Sequence, residues 1–113
     1  MKRILVCAVA IVFLGAGSLS AKGEEVGEYA QGKALYQEKC QMCHGENGKG
    51  DGPLASSLVD PPANFTEPGF WRDNPDQKIR NTIKNGYRVM PPIDLTVDQI
   101  PKVIDYMSHT FKK

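Results

Sequence analysis

Cys40-Gln41-Met42-Cys43-His44 places two thiols three residues apart with an imidazole directly behind them. That order is the attachment signal for a c-type haem, in which the thiols bond the two vinyl groups and the histidine binds iron. On a helical turn, positions i, i+3 and i+4 share one face, so Cys40, Cys43 and His44 can meet a single flat ligand. Two other uses of a CxxC pair compete with this one. A zinc site needs a fourth donor, from His109 or an acid, and a thioredoxin-like redox pair needs a βαβ setting. No second cysteine pair and no βαβ pattern is found in the sequence.

Haem iron that transfers electrons takes a second axial ligand on its far face. The candidates are Met42, Met90, Met107 and His109. Met42 lies between the two cysteines and cannot reach across the haem plane. Met107 falls at helical spacing from Val103 and Ile104, which suits core packing, and His109 near the end of the same helix suits a surface position. Met90 is followed by Pro91-Pro92, which lack N–H groups and hold the chain extended, so a rigid loop can present its thioether. Met90 is therefore the best placed of the four. His44 with Met90 would complete the iron's coordination and leave no open position for a substrate. A sulfur ligand also favours the ferrous state.

The elements that position these groups read as helices and loops. Residues 25–39 form a helix with Val26, Tyr29, Leu35 and Tyr36 as its apolar bodies, delivering Cys40 at its end. Gly27 and Gly32 weaken it by roughly 1 kcal/mol each relative to Ala, so Gly32 invites a packing explanation. Residues 45–72 carry Gly45, Gly48, Gly50, Gly52, Pro53, Pro61, Pro62, Pro68 and Gly69, a long loop. Its Leu54, Leu58, Val59, Phe65, Phe70 and Trp71 indicate a wrap around something apolar.

Asn74 as cap and Pro75 at the first helical position predict a helix through Ile79 and Ile83 that closes at Asn85-Gly86. Thr96 to Gln99 fits a capping box, with Asp98 a rival cap, ahead of a last helix that buries Ile100, Val103, Ile104, Met107 and Phe111. Tyr87 to Val89 is a strand fragment at most. The fold class is all-α, with three main helices and long loops around one covalent haem.

The N-terminus opens with Lys2 and Arg3, runs through an apolar stretch from Ile4 to Leu14, and ends in small residues. This is the order of a secretory signal peptide, with cleavage after Ser20 or Ala21. Residues 1–21 are accordingly the signal and residues 22–113 one small domain. An uncleaved anchor is the alternative, although the apolar run is shorter than the roughly 20 residues a spanning helix needs. Cys7 falls inside the signal and precedes most of its apolar stretch, which is the wrong order for a lipidated cysteine. The exported chain would keep only Cys40 and Cys43.

Removing Lys2 and Arg3 from the 14 basic residues leaves 12 against 13 acidic ones, a net of −1. No basic nucleic-acid footprint is present. A chain of about ninety residues has a marginal apolar core of its own, which a buried haem would enlarge.

With these residues in view, the sequence resembles the class I c-type cytochromes, especially small bacterial monohaem forms and the cytochrome modules of haem-copper oxidases. The resemblance rests on Gly32 and Tyr36 ahead of Cys40-Gln41-Met42-Cys43-His44, on Gly45-Glu46-Asn47-Gly48-Lys49-Gly50-Asp51-Gly52-Pro53, and on Met90-Pro91-Pro92 before a final Val103 to Met107 helix. It implies that the first and last helices cross closely, with Gly32 at the contact and Val103 and Tyr106 opposite. It implies a hydrogen bond from His44 Nδ1–H to the Pro53 carbonyl. For Trp71 it implies a bond to a haem propionate, with a core aromatic as the alternative. The Pro61-Pro62-Ala63-Asn64-Phe65 run is similar to the module of oxidase-associated cytochromes.

The function so implied is an exported, periplasmic electron carrier with one haem c, ligated by His44 and Met90. It exchanges electrons with a redox protein donor and acceptor in transient contacts and is not an enzyme. The alternatives are an electron-relay subunit of a larger membrane oxidoreductase complex, and a peroxidase or gas sensor with a labile Met90.

Overall fold

Helix α1 (Lys22–Lys39) starts three residues before the expected Glu25 and runs to the attachment motif. The computed structural model describes residues 22–113 together with Gly15. The expected signal peptide otherwise lies outside the described residues, and among those described no helix is long and apolar enough to cross a membrane. After α1 come the four-residue helix α2 (Gln41–His44), α3 (Asp76–Asn85) and α4 (Gln99–Phe111). Two short 3-10 turns, Ala55–Ser57 and Pro68–Trp71, interrupt the long connection between α2 and α3. The fold is all-α, as the periodicity of the sequence implies. Its one ladder contact among the described residues is an isolated bridge between Tyr87 and Met90.

The central packing event is α1 against α4. A Cβ added at Gly32 would fall on the Lys102 carbonyl oxygen and lie 2.7 Å from Tyr106 Cβ. Only glycine lets the two backbones approach this closely, which is the packing reason its cost in helix propensity requires. Beside that contact Tyr36 and Val103 are both fully buried. Ile100, Ile104, Met107 and Phe111 complete the buried stripe of α4, and Ile79 and Ile83 bring α3 onto it.

The ends of the helices follow local chemistry. At α4, Thr96 N–H donates to Gln99 Oε1 at 3.0 Å and Gln99 N–H donates to Thr96 Oγ1 at 3.3 Å, a reciprocal capping box. Asp98 makes no capping bond. Gly86 closes α3 at φ +77°, its N–H bonded to the Thr82 carbonyl. The start of α3 corrects the expectation for Asn74. Asp73 and Asn74 both take left-handed backbone, at φ +64° and +51°, and turn the chain into the helix; the cap position passes to Pro75, without a side-chain bond.

Two glycines of α1 should respond with opposite signs. Gly32→Ala is expected to lower holoprotein stability by about 1–3 kcal/mol through overpacking. Gly27 has open space around its would-be Cβ, so Gly27→Ala is expected to raise stability by about 0.5–1 kcal/mol through helix propensity. Urea denaturation of both variants measures the pair.

Candidate functional site

Four residues are too few for a helix to satisfy its own carbonyls. Around α2 the loop that follows supplies the missing donors. Leu54 N–H donates to the Met42 carbonyl at 2.8 Å, Gly52 N–H to Cys43 at 3.1 Å, and Gly50 N–H to His44 at 2.8 Å. Gly45 N–H closes the turn on the Gln41 carbonyl, and Cys43 and His44 N–H both donate to Cys40. Every carbonyl from Cys40 to His44 thus accepts from a backbone amide. The loop lies so close that a Cβ on Gly52 would meet the Met42 carbonyl and sit 2.6 Å from that of Gln41. Gly50, at φ +78°, likewise has the Pro62 carbonyl 2.5 Å from its would-be Cβ.

This backbone frame brings Cys40, Cys43 and His44 together on one short helix, as their spacing implies. Both thiols are free and partly buried. Burial, reinforced by the neighbouring Cys43, pushes the Cys40 thiol up to about 12. Such a thiol stays protonated at neutral pH, the opposite of the activated thiolate of a thioredoxin-like pair. Among the described residues no three His, Cys, Asp or Glu side chains are arranged to hold a metal ion by themselves.

The His44 ring is held on two sides. Its Nδ1 lies 3.2 Å from the Ala63 carbonyl oxygen, and its face stacks on Phe65 at 4.5 Å between centroids with 21° between planes. A carbonyl only accepts, so Nδ1 carries the proton and Nε2 keeps its lone pair. Burial lowers the ring's pKa below its ordinary value, outweighing the opposing effect of the Ala63 bond. A neutral imidazole with Nε2 free is the form that binds metal.

The acceptor at Ala63 corrects the Pro53 expectation. The loop 50–54 is committed to α2 through its amides, while the Pro61-Pro62-Ala63 run crosses Gly50 and carries its last carbonyl to the ring. Pro53 itself is exposed. The Trp71 Nε1–H donates to the Phe65 carbonyl at 2.6 Å, so the indole pins the loop that stacks on His44. Its ring packs edge-on against Phe70.

Met90 sits on a different element, the loop between α3 and α4. Tyr87 and Met90 exchange both backbone hydrogen bonds at 2.9 Å across a two-residue turn, with Arg88 at φ +53°. Ile93 N–H ties the same loop to the Ile83 carbonyl at 2.8 Å. The Arg88 guanidinium lies 3.8 Å from the Asp60 carboxylate, linking the Met90 turn to the loop that ends at Ala63. The rival ligands are otherwise engaged. Met107 is buried in the core, and His109 stacks on Tyr29 at 4.2 Å on the outer side of α1 and α4.

Sequence reasoning missed the roles of Ala63 and Phe65. The signal was present in Pro61-Pro62, whose nitrogens cannot donate and whose segment therefore offers carbonyls without competing amides. Tyr36, noted there only as an apolar body and a family mark, donates its hydroxyl to the Gly45 carbonyl at 2.7 Å. Burial raises its phenol well above the ordinary range, so it remains a donor.

The family model described as cytochrome c oxidase, cbb3-type, subunit III matches residues 27–107. The chain belongs to that family. It is a class I c-type cytochrome, of a family that carries haem c and transfers electrons. A solved chain from the Kuenenia stuttgartiensis reducing HAO-like protein complex is similar, at 34% identity and a TM-score of 0.59. The similarity covers 71% of this cytochrome and 41% of that chain, so this chain spans less than half its length. No curated protein matches it. The donor set fits the cofactor: two free thiols and a neutral imidazole stand on one turn.

The commitment of the Trp71 indole is directly testable. Trp71→Phe is expected to lower holoprotein stability by about 1 kcal/mol, the net worth of one hydrogen bond. It should leave the pH dependence of the reduction potential unchanged, whereas loss of a propionate contact would alter it. Redox titration across pH on wild type and variant measures both.

Proposed function

We propose that this cytochrome is an exported single-haem electron carrier, attached through Cys40 and Cys43 and ligated by His44 and Met90. When bound, the haem supplies a one-electron Fe(III)/Fe(II) couple. The protein's own residues hold it and set its environment. The observation that carries the reading is the His44 ring, kept neutral by burial and oriented by the Ala63 carbonyl and Phe65 so that Nε2 is available. Met90 would supply the second ligand from a turn locked to Tyr87 and Ile83, since Met107 belongs to the core and His109 to a surface stack. A filled sixth position suits electron transfer and disfavours peroxidase or gas-sensing chemistry, which need access to iron.

The basic start and apolar run of residues 1–21 support export to the periplasm. Donor and acceptor are redox proteins that meet the carrier in small transient interfaces. A second reading, an electron-relay subunit of a larger oxidoreductase complex, is favoured by the oxidase-subunit family and by the similar chain from a multiprotein complex. Co-purification of native holoprotein separates the two: a stoichiometric membrane partner favours the subunit, and a monomer released in the periplasmic fraction favours the free carrier.

The ligand assignment has its own measurement. The ferric holoprotein is expected to show a sulfur-to-iron charge-transfer band that disappears in Met90→Ala and persists in Met107→Ala and His109→Ala. The reduced wild type is expected not to bind carbon monoxide. Survival of the band in Met90→Ala, or rapid carbon monoxide binding, would reject the assignment.

A further inference from the structure

Tyr36 is fully buried, and its hydroxyl reaches out of the α1–α4 core to the carbonyl of the residue that follows His44. That carbonyl, on Gly45, has one other donor, the Gly48 amide at the longer distance of 3.2 Å. Gly45 itself is at φ +87°, where the chain leaves α2. The same tyrosine ring meets Phe65 edge-on at 6.5 Å between centroids, and Phe65 is the ring stacked on His44. Tyr36 therefore touches the mounting of His44 by two routes, one through the backbone on its C-terminal side and one through the ring that covers its face. We propose that Tyr36 is a positioning residue for His44, transmitting the fixed geometry of the α1–α4 crossing to the orientation of the imidazole.

The physical argument concerns stiffness. The core side of Tyr36 is set by Tyr106 at 5.7 Å and Phe111 at 5.2 Å, on a helix whose approach Gly32 makes possible. A hydroxyl on a ring so confined has little freedom, and a short buried hydrogen bond from it restrains the acceptor. Removal of the hydroxyl leaves the Gly45 carbonyl with its longer bond alone. The C-terminal end of α2 then loses the one side-chain donor to its backbone among the described residues, and the imidazole can tilt between Ala63 and Phe65.

The role rests on His44 as an iron ligand, and one experiment reads both separately. In the ferric wild-type holoprotein, hyperfine-shifted imidazole ring protons in the proton NMR spectrum assign His44 to iron; their absence would strike the ligand reading. In Tyr36→Phe, which keeps the ring and deletes the hydroxyl, the His44 ring resonances are expected to move, with an accompanying shift in midpoint potential. Tyr106→Phe removes from the same aromatic cluster a hydroxyl that does not bond to the His44 segment, and is expected to leave both readouts in place. Phe65→Leu cuts the second route while retaining the Tyr36 hydroxyl, and is expected to displace the His44 resonances as well. A Tyr36→Phe spectrum that superimposes on wild type in the His44 signals, with unchanged potential and only lower stability, overturns the proposal. Should Tyr36→Phe fail to accumulate, unmoved His44 signals in Phe65→Leu overturn it instead.

Discussion

A four-residue helix cannot satisfy its own carbonyls, and much of this cytochrome's architecture follows from that shortage. The CxxCH stretch is helical and so carries Cys40, Cys43 and His44 on one turn, yet α2 ends immediately after His44 because Gly45 leaves at positive φ. The following loop turns back along α2 so that Gly50, Gly52 and Leu54 donate to three consecutive carbonyls. Each such bond contributes only about 1 kcal/mol net, but a buried carbonyl left alone would cost about 1–3 kcal/mol. Glycine is required at positions 50 and 52 because the loop runs in contact with other backbone. The conformation of the site is therefore set largely by main chain packed on main chain.

A second layer of aromatic side chains joins this frame to the helical core. Phe65 contacts His44 on one side and Tyr36, Phe70 and Phe111 on the others. Trp71 holds the Phe65 backbone through its indole N–H. Asn64 Oδ1 accepts from the Thr66 amide at 2.9 Å and so shapes the same turn. The loop between α2 and α3 is long and irregular, but these contacts give it the role of a wall. Met90 sits on a tight turn of another loop, joined to this one through Arg88 and Asp60 at an exposed ion pair of small energetic weight.

Much of this could be read from residue order. The helical periods of α1, α3 and α4 are explicit in their apolar spacing, and Thr96 to Gln99 forms the capping box its residues spell out. Gly32 stood out because a glycine inside a helix needs a reason, and the reason is the α4 backbone. The failures share a cause. Asn74 has the right chemistry for a cap but sits in left-handed backbone, and chemistry alone does not report φ. The partner of His44 Nδ1 is Ala63 and not the Pro53 the resemblance implies, because which of several free carbonyls reaches the ring depends on the path of a loop more than ten residues long. Local pattern encodes periodicity and caps; it does not encode where an irregular segment returns.

The bond at His44 Nδ1 has a consequence for how this site tolerates change. Its acceptor is a peptide oxygen, and almost any amino acid at position 63 would offer the same oxygen. The identity of that residue is nearly free, while the count of residues between the motif and Ala63 is not. One residue inserted or deleted between Gly52 and Pro62 would present a different carbonyl to the imidazole. The specification of the His44 ring's orientation is thus stored in the spacing of the chain, as a length, and a comparison of sequences that scores letters alone would overlook it.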